Sequence, residues 1–127
     1  MAREVFAAFN RGEYEVDTDV THPDIEVVTE ATRLSGEPYR GYAGLRQWIA
    51  ETSDAFEEWT ISIGELEEPT PDRVLIVGTL HLRGRGSGVI VDLPCAWIFD
   101  YEGELCTRME TFPNRVEEAR SAAELAP

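Results

Sequence analysis

His81 is the residue of this chain best placed to exchange protons with a bound molecule, because alternating strand patterns set a carboxylate opposite it. A two-residue turn at Gly86-Ser87 pairs Arg85 with Gly88, which carries back to Asp92 opposite His81 and Pro94 opposite Thr79. A carboxylate across from an imidazole fixes the orientation of the ring, and such a pair suits acid–base work near neutral pH. A second hairpin turns at Glu102-Gly103. Read as a type I turn with a glycine bulge at Gly103, it sets Glu110 opposite Pro94 and Arg108 opposite Ala96, bringing a second carboxylate to the same face. Cross-strand pairs of this kind are more often structural than catalytic, so His81, Asp92 and Glu110 are candidate catalytic groups weighed against that ordinary role.

Around these three, Arg83 and Arg108 are candidates to bind a carboxylate or enolate oxygen of a ligand, although in so acidic a chain such arginines more often neutralise neighbouring acids. Thr79 shares their face. Trp48 and Phe56, with Phe6, Phe9 and Phe112, could wall an apolar pocket or fill it. His22 stands in a His-Pro-Asp turn, a structural setting. Two histidines far apart and two cysteines, Cys95 and Cys106, without close spacing predict no metal and two free thiols. Gly84 to Gly88 joins two strands instead of opening a helix, so no phosphate loop and no nucleotide cofactor is expected.

The elements that must position these groups follow from periodicity. Residues 2–10 place Val5, Phe6 and Phe9 on one helical face, with Gly12 as a stop. Tyr14 to Val20 suggests a short second helix, Ile25 to Thr29 a strand, and Gly36 with Pro38 a polar loop. From Ala43 to Trp59 the residues Leu45, Trp48, Ile49, Thr52 and Phe56 form a helical stripe. Ile61 and Ile63 alternate in a short strand broken by Pro69 to Asp72, and three long strands run on to Phe112. Asn114 is positioned to cap a last helix, with Glu117 three residues on. Helices, a strand, a long helix and an antiparallel meander give an α+β domain.

In that register one sheet face is mixed, carrying Thr79, His81, Arg83, Asp92, Pro94, Arg108, Glu110 and Phe112. The other is greasy, carrying Leu80, Leu82, Leu93, Cys95, Trp97, Phe99 and Met109. Helices can cover one face, and either choice is compatible with the pattern: the greasy face is buried by helices or by a second subunit.

Length and composition bound the rest. A chain of 127 residues, 43% hydrophobic and 28% charged, reads as one globular domain over 1–127. A net charge of −14, with 25 acidic against 11 basic residues, argues against nucleic acid. No apolar run reaches the ~20 residues of a membrane span. The first residues, MAREVFAAFN, lack the features of a secretory signal, which places the chain in the cytoplasm with no membrane partner.

The segments His22 to Glu26, Tyr39 to Arg46, Arg83 to Val89, Arg108 to Phe112 and Glu118 to Ala123 resemble, in order, the SnoaL-like branch of the nuclear transport factor two and ketosteroid isomerase-like superfamily. The resemblance implies a cone-shaped, cystatin-like roll: a curved antiparallel sheet with three to four helices on its concave face and a convex face used for homodimerisation. On that basis the mixed face is expected beneath the helices, and Leu80, Leu93, Cys95, Trp97 and Met109 are expected between subunits. The chain departs from the family's enzymes. Val77-Gly78-Thr79 stands where the epoxide hydrolases carry Arg-x-Asp, and Thr29, beside Glu30, stands near the isomerase's general-base aspartate. The resemblance leaves open a cofactor-independent isomerase, cyclase or hydrolase acting on a small apolar molecule, a noncatalytic ligand-binding or dimeric module, or a structural dimer with its pocket packed shut.

Overall fold

The computed structural model describes residues 6–7, 10–13 and 15–124. Six strands form one sheet: β1 (Thr21–Val28), β2 (Tyr39–Arg40), β3 (Phe56–Thr70), β4 (Arg73–Gly84), β5 (Ile90–Glu102) and β6 (Leu105–Pro113). Among the described residues three complete helices accompany them: α1 (Glu30–Ser35), α2 (Gly41–Ala55) and α3 (Val116–Ala123). The spatial order is β2-β1-β6-β5-β4-β3. All neighbours are antiparallel except β1 and β6, which run parallel, with Val27 beside Met109. The α+β class is the expected one.

The first long hairpin keeps the expected register, with His81 opposite Asp92 and Thr79 opposite Pro94. The second does not. Gly103-Glu104 forms the turn between Glu102 and Leu105, and the register shift falls at Tyr101, beside Cys106. Glu110 therefore faces Ile98 instead of Pro94, and Arg108 faces Asp100 instead of Ala96. From Arg108 to Phe112 the slide is an even number of residues, so these side chains keep their faces, whereas Cys106, before the shift, turns to the face of Met109.

Local chemistry explains three departures from the periodicity. The segment expected as a polar loop after β1 is α1, because Thr29 and Thr32 cap it reciprocally: Thr29 Oγ1 accepts from the Thr32 N–H and Thr32 Oγ1 from the Thr29 N–H, at 3.3 and 2.7 Å. Gly36 ends it in the left-handed region, at φ 80°. The long helix stops at Ala55, where Phe56 turns extended and starts a 15-residue strand. Asn114 does not cap α3 through its side chain. It takes φ 58° and its N–H donates to Pro94 O at 2.8 Å.

The core is divided between the faces of the sheet. Phe6, Val27, Ile61, Ile76, Cys95, Trp97, Phe99 and Met109 cluster on one, beneath the N-terminal helical residues and α2. On the other, Leu75, Ala96, Ile98 and Phe112 pack against Ala119 and Ala123 of α3. The expectation that all helices gather on one face fails for α3, because the mixed face is apolar along this half and its desolvation needs a cover. Arg73 fastens that cover. It donates to both Asp100 oxygens, at 2.6 and 3.1 Å, and to the carbonyls of Ala122 and Ala123 at the end of α3.

Candidate functional site

The greasy face lies under α2 and the N-terminal helical residues, whereas α3 covers only the apolar half of the mixed face. Leu80 and Leu82 of β4, Leu93, Cys95 and Trp97 of β5 and Met109 of β6 form the floor of a cavity of about 770 Å³. Its roof is the stripe of α2, where Leu45, Trp48, Ile49 and Thr52 fall on one face. No residue of α2 is fully buried, because the stripe faces open space instead of a packed core. Trp48 meets Trp59 of β3 edge to face at 5.3 Å, and Phe6 meets Trp97 in the same way at 5.2 Å. All three tryptophans of the chain line the cavity.

Polar groups are sparse within it. Tyr101, Cys95 and Cys106 reach the wall, and burial pushes the acid constant of each up to about 12. Neither sulfur is therefore a thiolate near neutral pH, which removes both from the possible nucleophiles. Thr21 and Thr111 add hydroxyls, and the carboxylates of Glu13, Glu15, Asp17 and Glu30 gather at the cavity edge. Glu30 also pairs with Arg115 at 3.1 Å.

This inverts the expected site. Thr79, His81, Arg83, Asp92, Arg108, Glu110 and Phe112 share a face, as read, but it is the outer face of the sheet, away from the cavity, and Glu110 and Phe112 line a shallow groove beside α3. Covering an all-apolar face recovers more free energy than covering charged groups, which stay hydrated. Leu80, Leu93, Cys95, Trp97 and Met109 are inside, so the homodimer loses the surface on which it was expected. Trp48, for which walling and filling a pocket were both open, lines the cavity, and Phe9 lies outside the described residues.

On the outer face the expected cluster splits. His81 and Asp92 pair, with Nδ1 to Oδ1 at 2.7 Å. Ser62 of β3, which the sequence reading passed over, completes the group with Oγ 2.7 Å from His81 Nε2. Glu110 stands in the row of Leu75 and Ile98, six residues along β4 from His81 and so about 20 Å away. There it accepts from Arg33 and Arg108, each at 2.9 Å, and Arg33 lies 4.8 Å over the Phe112 ring. Phe112 is buried under α3. Both arginines are thus occupied in holding Glu110, α1 and β6 together. Among the described residues no group of histidine, cysteine and carboxylates has metal-binding geometry. No described helix is long and apolar enough to cross a membrane.

Comparison with known proteins agrees with this architecture. Residues 2–109 match the family model of the SnoaL-like domain. An NTF2-like protein of unknown function from Burkholderia pseudomallei is 18% identical with TM-score 0.78, over 98% of this chain and 95% of that one. A protein of ketosteroid isomerase-like fold from Catenulispora acidiphila, solved with trimethylamine, is 18% identical with TM-score 0.76, over 99% and 96%. TerC, co-crystallised with polyporic acid, is 24% identical with TM-score 0.73, over 91% and 89%. No curated protein matches the chain. At these identities the solved structures speak for the fold alone, whereas the family model spans most of the sequence, and the chain belongs to the SnoaL-like domain family.

Proposed function

We propose that this chain is a ligand-binding SnoaL-like domain whose cavity takes a small, largely apolar, uncharged organic molecule. The observation that carries this reading is the cavity itself: about 770 Å³, within the size range of small-molecule sites, floored and roofed by leucine, isoleucine and tryptophan side chains. The carboxylates at its edge disfavour an anion, whose approach they oppose and whose charge no arginine among the described lining residues offsets. Isomerase, cyclase or hydrolase chemistry in this cavity would have to proceed without the imidazole expected for it, since His81 is on the far side of the sheet. Binding is therefore the better supported reading than turnover.

The test uses two dyes and the three cavity-lining tryptophans. Nile red, neutral and apolar, is expected to brighten on the native protein and to quench tryptophan emission, whereas anilinonaphthalene sulfonate, an anion, binds at least about tenfold more weakly. Leu80→Trp, which fills the floor, should abolish Nile red binding. Native protein that leaves Nile red dark, or a Leu80→Trp variant that binds it unchanged, would refute the proposal.

A further inference from the structure

The outer face carries a second arrangement that the cavity does not use. Ser62 Oγ lies 2.7 Å from His81 Nε2, and His81 Nδ1 lies 2.7 Å from Asp92 Oδ1. A carboxylate only accepts hydrogen bonds, so the neutral ring places its proton on Nδ1 and leaves the Nε2 lone pair to accept from the Ser62 hydroxyl. We propose that Ser62, His81 and Asp92 form an acyl-transfer site that hydrolyses small neutral esters through an acyl-serine. This order of groups is the one by which a serine is activated in unrelated folds, where role and geometry, not sequence position, define it.

The sheet supplies the positioning. His81 and Asp92 are a directly opposed cross-strand pair, and Ser62 stands diagonally from His81, one pair along from Thr60, which faces it. Ile61 and Ile63 flank Ser62 and point to the core side, which fixes the serine outward. Gly78 permits the approach of the two strands: a Cβ there would stand 2.0 Å from Ser62 O. The side chains of His81 and Asp92 are 37% and 60% exposed, so a substrate reaches them directly from solvent. Arg83 lies two residues along β4 on the same face, beyond His81 from Ser62, where it pairs with Glu58 at 3.6 Å.

The chemistry balances without any cofactor. Ser62 Oγ attacks the ester carbonyl carbon as its proton passes to His81 Nε2; collapse of the tetrahedral adduct breaks the bond to the alcohol oxygen, which leaves with that proton. Water, deprotonated by the same nitrogen, then releases the acid and restores the serine. Ile90 and Pro94 stand on either side of Asp92 along β5 on this face, beside the negative charges of Asp92 and Glu58. That setting suits an uncharged ester with a short apolar acyl group and rejects an anionic one.

The experiment pairs a fluorophosphonate with p-nitrophenyl acetate. The expected results are one phosphonyl group added to the native protein with loss of fluoride, mapped by peptide mass to Ser62, and release of p-nitrophenolate above the buffer rate. All 11 basic residues are arginine, so no lysine amine contributes a background rate. Ser62→Ala removes both signals, and His81→Ala and Asp92→Asn slow both by about 100-fold or more. His22→Ala leaves them unchanged. Absence of an adduct on the native protein, an adduct at another residue, or ester hydrolysis that Ser62→Ala retains overturns the proposal. Nile red binding is measured on the same samples, so this site and the cavity stand or fall separately.

Discussion

Asn10 closes both main-chain hydrogen bonds of Ile61: its carboxamide donates to the Ile61 carbonyl at 2.7 Å and accepts from the Ile61 N–H at 2.9 Å. Strand β3 is an edge of the sheet, so these groups would otherwise lack a strand partner. The amide thus acts as one residue of a missing strand and ties the N-terminal helical segment across the cavity. Replacing it with alanine leaves a partly buried donor and acceptor unpaired, at a cost of about 1–3 kcal/mol each when water cannot reach them. Asn10→Asp keeps the acceptor but sets a carboxylate oxygen against the Ile61 carbonyl. Both variants should lower the urea midpoint, and midpoints equal to wild type would show the contact to be idle.

Arg73 is the second structural lever. It is 7% exposed, and Asp100 raises its already high acid constant through a side-chain hydrogen bond, so it remains a cation. Arg73→Met strands the Asp100 carboxylate and frees the end of α3, and breaking a buried pair in this way costs about 3–5 kcal/mol. The double variant Arg73→Met, Asp100→Leu should recover much of that loss, because two apolar groups leave no charge behind. Denaturation curves of the single and double variants check this, and equal losses in both would contradict it.

Parity was readable in the sequence and orientation was not. The turn at Gly86-Ser87 fixes His81 opposite Asp92, and period-two alternation sorts side chains into faces whatever the register. Which face the helices cover depends on tertiary packing. The apolar continuity of Leu80, Leu93, Cys95, Trp97 and Met109 was the signal for burial under the roof, and the family resemblance led to the opposite choice. Ser62 was missed because the strand of Ile61 and Ile63 was read from its alternation alone and was not paired with β4. A count back from the turn after Thr70 sets Ser62 directly opposite His81, where the register shifts between Glu67 and Thr70 and between Ile63 and Glu65 place Thr60 instead, with Ser62 diagonal to the ring. The alternation of Ile61 and Ile63 did carry a hint, since a serine between two inward isoleucines must face the other way.

Gly78 offers a test of how closely the two strands must approach. Alanine there would bring its Cβ 2.0 Å from the Ser62 carbonyl oxygen, a backbone atom with no freedom to rotate away. Gly78→Ala is expected to push β3 from β4, cost about 1–3 kcal/mol as overpacking does, and separate Ser62 from His81. Nuclear magnetic resonance of the His81 ring would report the lost partner at Nε2. A variant with wild-type stability and an unaltered ring spectrum would show that the strands have slack at this point.

Alkaline pH should weaken the fold through the cavity wall. Cys95, Cys106 and Tyr101 ionise in the folded chain only at about 12, against ordinary values of 9.0, 9.0 and 10.0, and burial is the largest cause in each case. For a group whose folded value is raised, the unfolded chain loses its proton first as pH increases, so unfolding becomes more favourable through that window. The stabilising contribution is complete below about pH 9 and drains away as pH climbs toward 12. The thermal midpoint should fall across this range. Cys106→Ala and Tyr101→Phe, which remove ionisable groups without opening the wall to water, should each flatten the slope. Below that window, at pH 8, Ellman's reagent should find both thiols slow in the native protein, in contrast to their reaction after denaturation in urea. A flat thermal midpoint from pH 9 to 12, or thiols that react at once in the native protein, would mean that water already reaches these groups and that the cavity wall is wet.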